Sequence, residues 1–194
     1  MSGNTDRTGS ILIVTGSEQF AVQIQKVAYR KGFSAADVGR SAAAARRRVR
    51  ERDYDIIVIN APLQEEFGHE LAMDMADRGI SVLMVVPSEV YDNVLENVTD
   101  YGIMVLQKPL SGNMADKAIG FLRAIQMRIR RLKKQVEKAE EKAEELRITG
   151  KAKLLLIEKK HMTEEEAHRF IGKQAMNNGV SRRRIAERII DDLE

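Results

Sequence analysis

The residues of this sequence that are placed to do chemistry lie at the ends of apolar segments. Thr15 and Gly16 follow ILIV, Asn60 follows DIIVI, Val86 ends SVLMVV, and Lys108 follows VLQ. Parallel strands end at one edge of a sheet, so we expect these five residues to lie close together. Such an edge binds Mg²⁺ when it supplies carboxylate oxygens. It accepts a phosphoryl group when it also supplies a nucleophile.

The side chains at these five positions offer neither function. An asparagine amide is uncharged and a poor nucleophile, and a valine cannot donate a hydrogen bond to a phosphoryl oxygen. The nearby acids Glu18, Glu65 and Glu66 are not spaced to rebuild a carboxylate cluster. We therefore predict no phosphoryl transfer through Asn60. For Lys108 we favour a structural contact, with Asn60 or a backbone carbonyl, over a catalytic role.

Other enzyme classes find little support in the composition. The 194 residues contain no cysteine and only three histidines, and no glycine-rich phosphate loop is present. We predict no catalytic residues, no metal site and no cofactor. No run of about 18 apolar residues occurs, so we expect no contact with a membrane. The absence of cysteine is typical of a reduced, cytoplasmic protein.

The first part of the chain alternates between predicted strands and helices. We predict strands at 11–15, 35–38, 55–60, 81–86 and 102–107, and helices at 17–31, 41–53 and 66–78, with another helix starting near Ser111. Short connections between such units indicate a parallel sheet covered on both faces. We predict a five-stranded, doubly wound, flavodoxin-like α/β domain at 10–121, after a disordered tail at 1–9.

The order and spacing of these segments resemble a response-regulator receiver domain. In that family two acidic residues follow the first strand, an aspartate ends the third, a serine or threonine ends the fourth, and a lysine precedes a proline. The corresponding residues here are Thr15 and Gly16, Asn60, Val86 and Lys108. Only the lysine matches. The resemblance therefore implies a receiver fold whose phosphorylation pocket is degenerate.

A heptad pattern follows the predicted α/β domain. Apolar residues recur at alternating spacings of three and four: Leu122, Ile125, Ile129, Leu132, Val136, Ala139, Ala143 and Leu146. This pattern predicts a linker helix at 122–147 that forms a parallel two-stranded coiled coil and makes the protein a homodimer. The alternative is one amphipathic helix packed on its own domain, since two alanines thin the seam.

The last segment, 148–194, predicts a small helical domain. Thr163 and Glu166 form the sequence signature of a capping box, and Asn178–Gly179 is a typical helix end. Ser181 is placed to cap a final helix. Together with the apolar residues Ala152, Leu155 and Leu156 of the preceding helix, these signals indicate a three-helix unit.

Several motifs of this segment, in order, are similar to the ANTAR domain: AK-x-LL, MTEEEAHRF and QAM, followed by a short last helix. His168 stands where an aromatic residue is common in the family, and Leu154 stands where a small residue is common. Members of the family bind paired hairpins in nascent RNA and prevent formation of a terminator. The resemblance therefore implies an RNA-binding antitermination regulator that recognises hairpin loops in a leader mRNA.

The charge distribution fits an anionic partner for the C-terminal part. Residues 1–124 hold 14 Lys/Arg against 16 Asp/Glu, whereas residues 125–194 hold 18 against 13. Specific RNA recognition favours loops with exposed bases, contacted through cationic and apolar side chains. The candidate contacts are Lys151, Ala152, Lys153, Arg169, Lys173, Met176, Arg182, Arg183 and Arg184.

Two other functions stay open at this stage. The first is a DNA-binding regulator in which 163–192 acts as a helix-turn-helix, although RRRIAERII offers few base-reading side chains. The second is a protein-interaction module whose C-terminal helices only oligomerise. The input signal is also open: a regulatory protein or a small molecule at the receiver-like domain are both candidates.

Overall fold

The computed structural model describes residues 9–194, so the predicted tail, apart from Gly9, lies outside the described residues. The chain divides into two compact units, Met1–Ile129 and Arg130–Glu194. In chain order the elements are β1 (Ser10–Val14), α1 (Glu18–Arg30), β2 (Ala35–Gly39), α2 (Ala42–Glu51), β3 (Ile56–Asn60), α3 (His69–Asp77), β4 (Ser81–Val86), α4 (Tyr91–Val98), β5 (Met104–Gln107), α5 (Gly112–Lys160), α6 (Glu164–Asn178) and α7 (Arg182–Leu193).

The first unit is built around a five-stranded parallel sheet with the order β2-β1-β3-β4-β5. Alternate residues of each strand point to opposite faces, and both faces are buried. Leu12, Ile57 and Met84 belong to the core on one face, whereas Ile13 and Val58 belong to the core on the other. The predicted doubly wound, flavodoxin-like fold is therefore confirmed.

One helix of this unit was not predicted from the sequence. Helix α4 covers Tyr91–Val98 and is flanked by short 3₁₀ turns at Ser88–Val90 and Thr99–Tyr101. Val94 and Val98, one helical turn apart, are buried against the core of the sheet. Tertiary burial of these two valines offsets the weak helix propensity of a segment rich in valine and asparagine.

The start of the predicted heptad seam belongs to the core of the first unit. Leu122 is buried and Ile125 is half-buried, and both pack in the cluster formed by α1, α5 and one face of the sheet. They are therefore not available as seam residues, which corrects the prediction for these two positions. These two residues are apolar because they pack against the core of their own unit, and this also makes them match the heptad period.

Helix α5 runs without interruption from Gly112 to Lys160, through the predicted boundary near residue 147. Thr149 and Gly150, which favour a break by propensity, lie inside the helix. None of the helices among residues 9–194 is long and apolar enough to cross a membrane.

The second unit contains the remainder of α5 followed by α6 and α7. Its core consists of Ile148, Ala152, Leu156, Ala167, Ile171, Ala175, Ile185, Ala186 and Ile189. The predicted capping box is present: the Thr163 hydroxyl accepts from the Glu166 backbone N–H at 3.2 Å, and the Glu166 carboxylate accepts from the Thr163 N–H at 2.8 Å. Gly179 ends α6 with φ +62°, and the Ser181 hydroxyl caps α7.

Removal of the cap is expected to destabilise the second unit. Thr163→Ala leaves the Glu166 N–H without its hydroxyl partner, which should lower the free energy of unfolding by about 1 kcal/mol. The measurement is urea unfolding of the full chain followed by circular dichroism. His168→Ala, an exposed position on the same helix, is the control. Equal stability of the two variants would contradict the role given to the cap.

Candidate functional site

The strand-end pocket of the first unit is held together by uncharged groups. Asn60 ends β3 and donates through Nδ2 to Oγ1 of the buried Thr15 at 2.9 Å. The same Thr15 oxygen accepts from the Ser17 backbone N–H at 3.0 Å. The other amide atom of Asn60, Oδ1, is buried and has no partner among the described residues. These hydrogen bonds join Asn60, Thr15 and the Ser17 backbone to one another, and they provide no carboxylate nucleophile.

Lys108 makes a structural contact in this pocket. Its ammonium donates to the backbone carbonyl of Ala61 at 2.5 Å, one residue after Asn60. Burial lowers the pKa of Lys108 from its ordinary value, because the charged form loses solvation. Within residues 9–194 no carboxylate forms an ion pair with this lysine. Of the two structural partners predicted for it, the backbone carbonyl is the one observed.

Of the three acids predicted near the pocket, two form ion pairs with arginines and the third is exposed. Glu18 pairs with Arg40 at 3.1 Å, Glu66 pairs with Arg46 at 3.2 Å, and Glu65 is exposed. Among residues 9–194 no group of three histidine, cysteine, aspartate or glutamate side chains is arranged to hold a metal ion.

The remaining predicted pocket residues are placed at the same edge of the sheet. Val86 is buried at the end of β4, and Gly16 is exposed after β1. An open cleft of about 780 Å³ lies at this edge and is lined by Ser17, Gln19, Phe20, Gln23, Asn60, Val85, Pro87, Ser88, Glu89, Lys108, Pro109 and Leu110. The lining contains one cationic side chain, Lys108, and one anionic side chain, Glu89.

In the second unit, three of the predicted cationic contacts are engaged in ion pairs. Lys151 pairs with Glu194 at 2.6 Å, and Lys153 pairs with Glu164 at 2.9 Å. Arg183 pairs with Glu187 at 2.8 Å, one turn along α7. At least one partner of each pair keeps about half or more of its side-chain surface accessible, so each pair contributes little to stability and can open to a phosphate.

Of four other predicted RNA contacts, three lie on α6 and the fourth, Arg182, is the first residue of α7. Arg169, Lys173 and Met176 follow each other at spacings of four and three, which places them on one face of α6. All three are exposed, and Met176 keeps 78 % of its surface accessible. The Arg182 guanidinium lies about 3.8 Å from where a Cβ on Gly172 would be, so it extends over the same helix. Arg169, Lys173, Met176 and Arg182 are called the α6 face below.

Two predicted contacts are placed differently. Ala152 has 0 % of its surface exposed and lies in the core of the second unit, against α6 and α7. A direct contact between Ala152 and RNA is incompatible with this packing, so the prediction for this residue is corrected to a packing role. Arg184 is exposed at the start of α7, where its backbone N–H is capped by Ser181.

The structure also shows a cleft that the sequence did not predict. It has a volume of about 500 Å³, lies where α5 ends and α6 begins, and is lined by Lys160, His161, Met162, Glu166, Arg169, Phe170 and Lys173. The only sequence feature that could have indicated it is KKH at residues 159–161, where α5 ends without the glycine that is common at a helix end. His161 takes the left-handed backbone (φ 55°) that a glycine would otherwise adopt there.

The part of the heptad seam beyond residue 129 is exposed. Leu132, Val136 and Leu146 keep 51 %, 55 % and 66 % of their surface accessible, and Ala139 and Ala143 are also exposed. Ile129 is half-buried. We call Leu132, Val136, Ala139, Ala143 and Leu146 the exposed seam. An apolar stripe of this length on a solvated helix is typical of a surface that binds a partner.

Comparison with known proteins found a domain family that matches most of the second unit. Residues 137–190 match the ANTAR domain family, starting within the segment predicted as linker helix. The chain is also similar to the transcriptional regulatory protein PdtaR of Mycobacterium tuberculosis, in strains CDC 1551 / Oshkosh and H37Rv. The two are 26 % identical over 140 residues, which cover 72 % of this chain and 68 % of PdtaR.

Solved structures match the first unit's fold. The receiver domain of an HD domain-containing protein from Pseudomonas fluorescens Pf-5 aligns with a TM-score of 0.59 and 16 % identity, over 67 % of this chain and 97 % of that one. The chemotaxis response regulator CheY4 of Vibrio cholerae aligns with a TM-score of 0.52 and 13 % identity, over 59 % and 98 %. The chain thus combines a domain of receiver fold with a C-terminal segment, residues 137–190, that matches the ANTAR domain family.

Proposed function

We propose that this protein is an RNA-binding transcription antitermination regulator that acts as a homodimer on paired hairpins in a nascent leader mRNA. The ANTAR match at residues 137–190 is the observation that carries the proposal. The domain limits that we adopt are those expected from the sequence: a receiver-like domain at 10–121, a linker at 122–147 and an RNA-binding domain at 148–194.

The α6 face is the proposed centre of the RNA contact. Arg169, Lys173 and Arg182 have no ion-pair partner among the described residues, so their charges are available to phosphates. Met176 adds an exposed apolar surface between cations, which suits an unstacked base. Lys151, Lys153, Arg183 and Arg184 supply further phosphate contacts once the ion pairs of the first three open.

Dimerisation through the exposed seam explains how a weakly charged unit binds RNA tightly. Residues 151–194 hold 10 Lys/Arg against 8 Asp/Glu, so one unit has little electrostatic attraction for RNA. Two units on one dimer that meet two linked hairpins gain affinity through effective concentration. Burial of three large apolar side chains per chain in a seam supplies the driving force for the dimer.

The receiver-like domain is proposed to act without phosphorylation. The Asn60–Thr15 hydrogen bond and the Lys108–Ala61 contact hold the strand ends together without a carboxylate or a metal. A regulatory protein or a small molecule at this cleft is the proposed replacement for the phosphoryl signal.

This proposal predicts that restoring the aspartate alone does not restore phosphorylation. Asn60→Asp creates a nucleophile but adds no acidic residue at positions 15 and 16, so Mg²⁺ lacks its other protein ligands. Incubation with radiolabelled acetyl phosphate and Mg²⁺ should leave this variant as unlabelled as the wild type. A response regulator with an intact site is the positive control. Robust labelling of the single variant would sink this part of the proposal.

The function itself is tested by competition between nucleic acids. A gel shift of the full chain should show binding to a two-hairpin RNA and weaker binding to a DNA duplex of the same stem sequence. Tighter binding to the duplex would favour the helix-turn-helix alternative. Binding to neither would favour a module that contacts only proteins.

A further inference from the structure

The cleft between the end of α5 and the start of α6, called the junction cleft, combines cations with flat and apolar side chains. Lys160, Arg169 and Lys173 supply the cations, and His161, Met162 and Phe170 supply the flat or apolar surface. The cleft is shallow and open to solvent, with a volume of about 500 Å³. All six residues belong to the second unit, so the cleft is formed within one compact body.

The junction cleft contains one acid, Glu166, against three lysine or arginine side chains. Oε2 of Glu166 accepts hydrogen bonds from the Thr163 backbone N–H at 2.8 Å and from its hydroxyl at 3.0 Å. The first of these bonds lowers the pKa of Glu166 from its ordinary value, so the carboxylate is anionic and serves the capping box. The lining therefore contains three lysine or arginine side chains and one carboxylate. Its net positive charge favours an anionic ligand.

His161 is held in an unfavourable backbone conformation at the mouth of this cleft. Its φ of 55° is the left-handed region, which a non-glycine residue rarely occupies. A glycine at this position would end α5 without that cost. The strained residue carries an exposed imidazole into the lining of the cleft. Strain of this kind concentrates at ligand-binding positions.

We infer that the junction cleft holds one unpaired nucleotide of the RNA loop, an inference that rests on the proposed function. The base lies against His161, Met162 and Phe170, because every base offers a face that stacks on aromatic side chains. The phosphates on either side of it lie against Arg169 and Lys173, and Lys160 is the third cation of the lining. Arg169 and Lys173 thus join the junction cleft to the α6 face and continue one cationic track.

The test uses the full chain and a two-hairpin RNA selected against it from a library with randomised loops. His161→Gly removes the ring and relaxes the backbone. We expect this variant to bind the RNA about tenfold more weakly, within the range for loss of one stacked base, while its thermal midpoint stays equal or rises. Its dependence of affinity on salt should be unchanged, because the contact removed is with the base and not with a phosphate.

Arg169→Ala should behave differently, because it removes a phosphate contact. Its affinity should also fall, and the slope of log affinity against log salt should become shallower by about 0.7. The controls are His168→Ala and Arg188→Ala, exposed residues of the same types that do not line the cleft. Both should bind within about twofold of the wild type.

An abasic loop nucleotide shows whether the base itself occupies the cleft. At the loop position where base removal weakens wild-type binding most, His161→Gly should add little further loss, because both changes delete the same contact. Losses that add fully would overturn the inference. Wild-type affinity of His161→Gly would overturn it as well and leave the proposed function standing, because His161 is not part of the α6 face. Failure to select any hairpin RNA with the wild-type chain would overturn both.

Discussion

Replacing Leu132 and Val136 by aspartate is expected to turn the proposed dimer into a monomer and to weaken binding of a two-hairpin RNA by about a hundredfold. Both side chains keep more than half of their surface accessible in the single chain. Their replacement should therefore not disturb the fold of either unit. In the dimer, the same positions place charges in an apolar seam, where an unpaired charge is very costly.

The matched control for this variant changes the charge by the same amount outside the seam. Lys134→Gln with Lys138→Gln also makes each chain more negative by two, at exposed positions on other faces of the helix. This control should remain a dimer by light scattering and should lose only a few-fold in RNA affinity. A monomeric wild type, or a seam variant that still dimerises, would show that the seam has another role.

Enlarging Ala152 should damage the fold of the second unit, whereas truncating Met176 should not. Ala152 has no accessible surface among Ile171, Ala175 and the residues of α7. Ala152→Leu is therefore expected to cost about 1–3 kcal/mol of unfolding free energy through overpacking. RNA binding should be lost only under conditions in which the variant unfolds, and the folded variant should still bind. The measurement is urea unfolding followed by circular dichroism, together with RNA affinity at a temperature where the variant is still folded.

Met176→Ala is the contrasting variant. Its side chain is 78 % exposed, so the free energy of unfolding should change by less than about 0.5 kcal/mol. The RNA affinity should nevertheless fall several-fold, because an apolar contact of the α6 face is lost. A stable Ala152→Leu variant with selectively lost RNA binding would contradict the packing role, and would return Ala152 to the RNA surface.

The strands were predictable because each one is a short apolar run between turn signals. The observed strand bounds lie within two residues of the predicted ones, as for Ser81–Val86, where they coincide. Helix α4 was not predicted, because its segment contains few strong helix formers and only tertiary burial of Val94 and Val98 stabilises it. The continuity of α5 through Gly150 was missed for a related reason, since a local break signal was outweighed by the rest of the helix.

The functional surfaces were harder to predict than the strands. A heptad pattern cannot distinguish a seam that faces a partner from one that faces the chain's own core. Leu122 and Ile125 fit the same period as Leu132, yet only Leu132 is exposed. Likewise, Ala152 was predicted both as an apolar residue of the three-helix unit and as an RNA contact, and its position in the sequence does not decide between the two roles. The junction cleft depends on where α6 turns back after His161, and this tertiary arrangement has no direct signature in the sequence.

The most direct test of the central claim is the affinity of the full chain, without any phosphodonor, for a two-hairpin RNA and for each hairpin alone. We expect the two-hairpin RNA to bind at least about tenfold more tightly. We also expect that adding acetyl phosphate and Mg²⁺ leaves this difference unchanged. Equal affinity for one hairpin and two, or paired binding that appears only with the phosphodonor, would contradict the central claim.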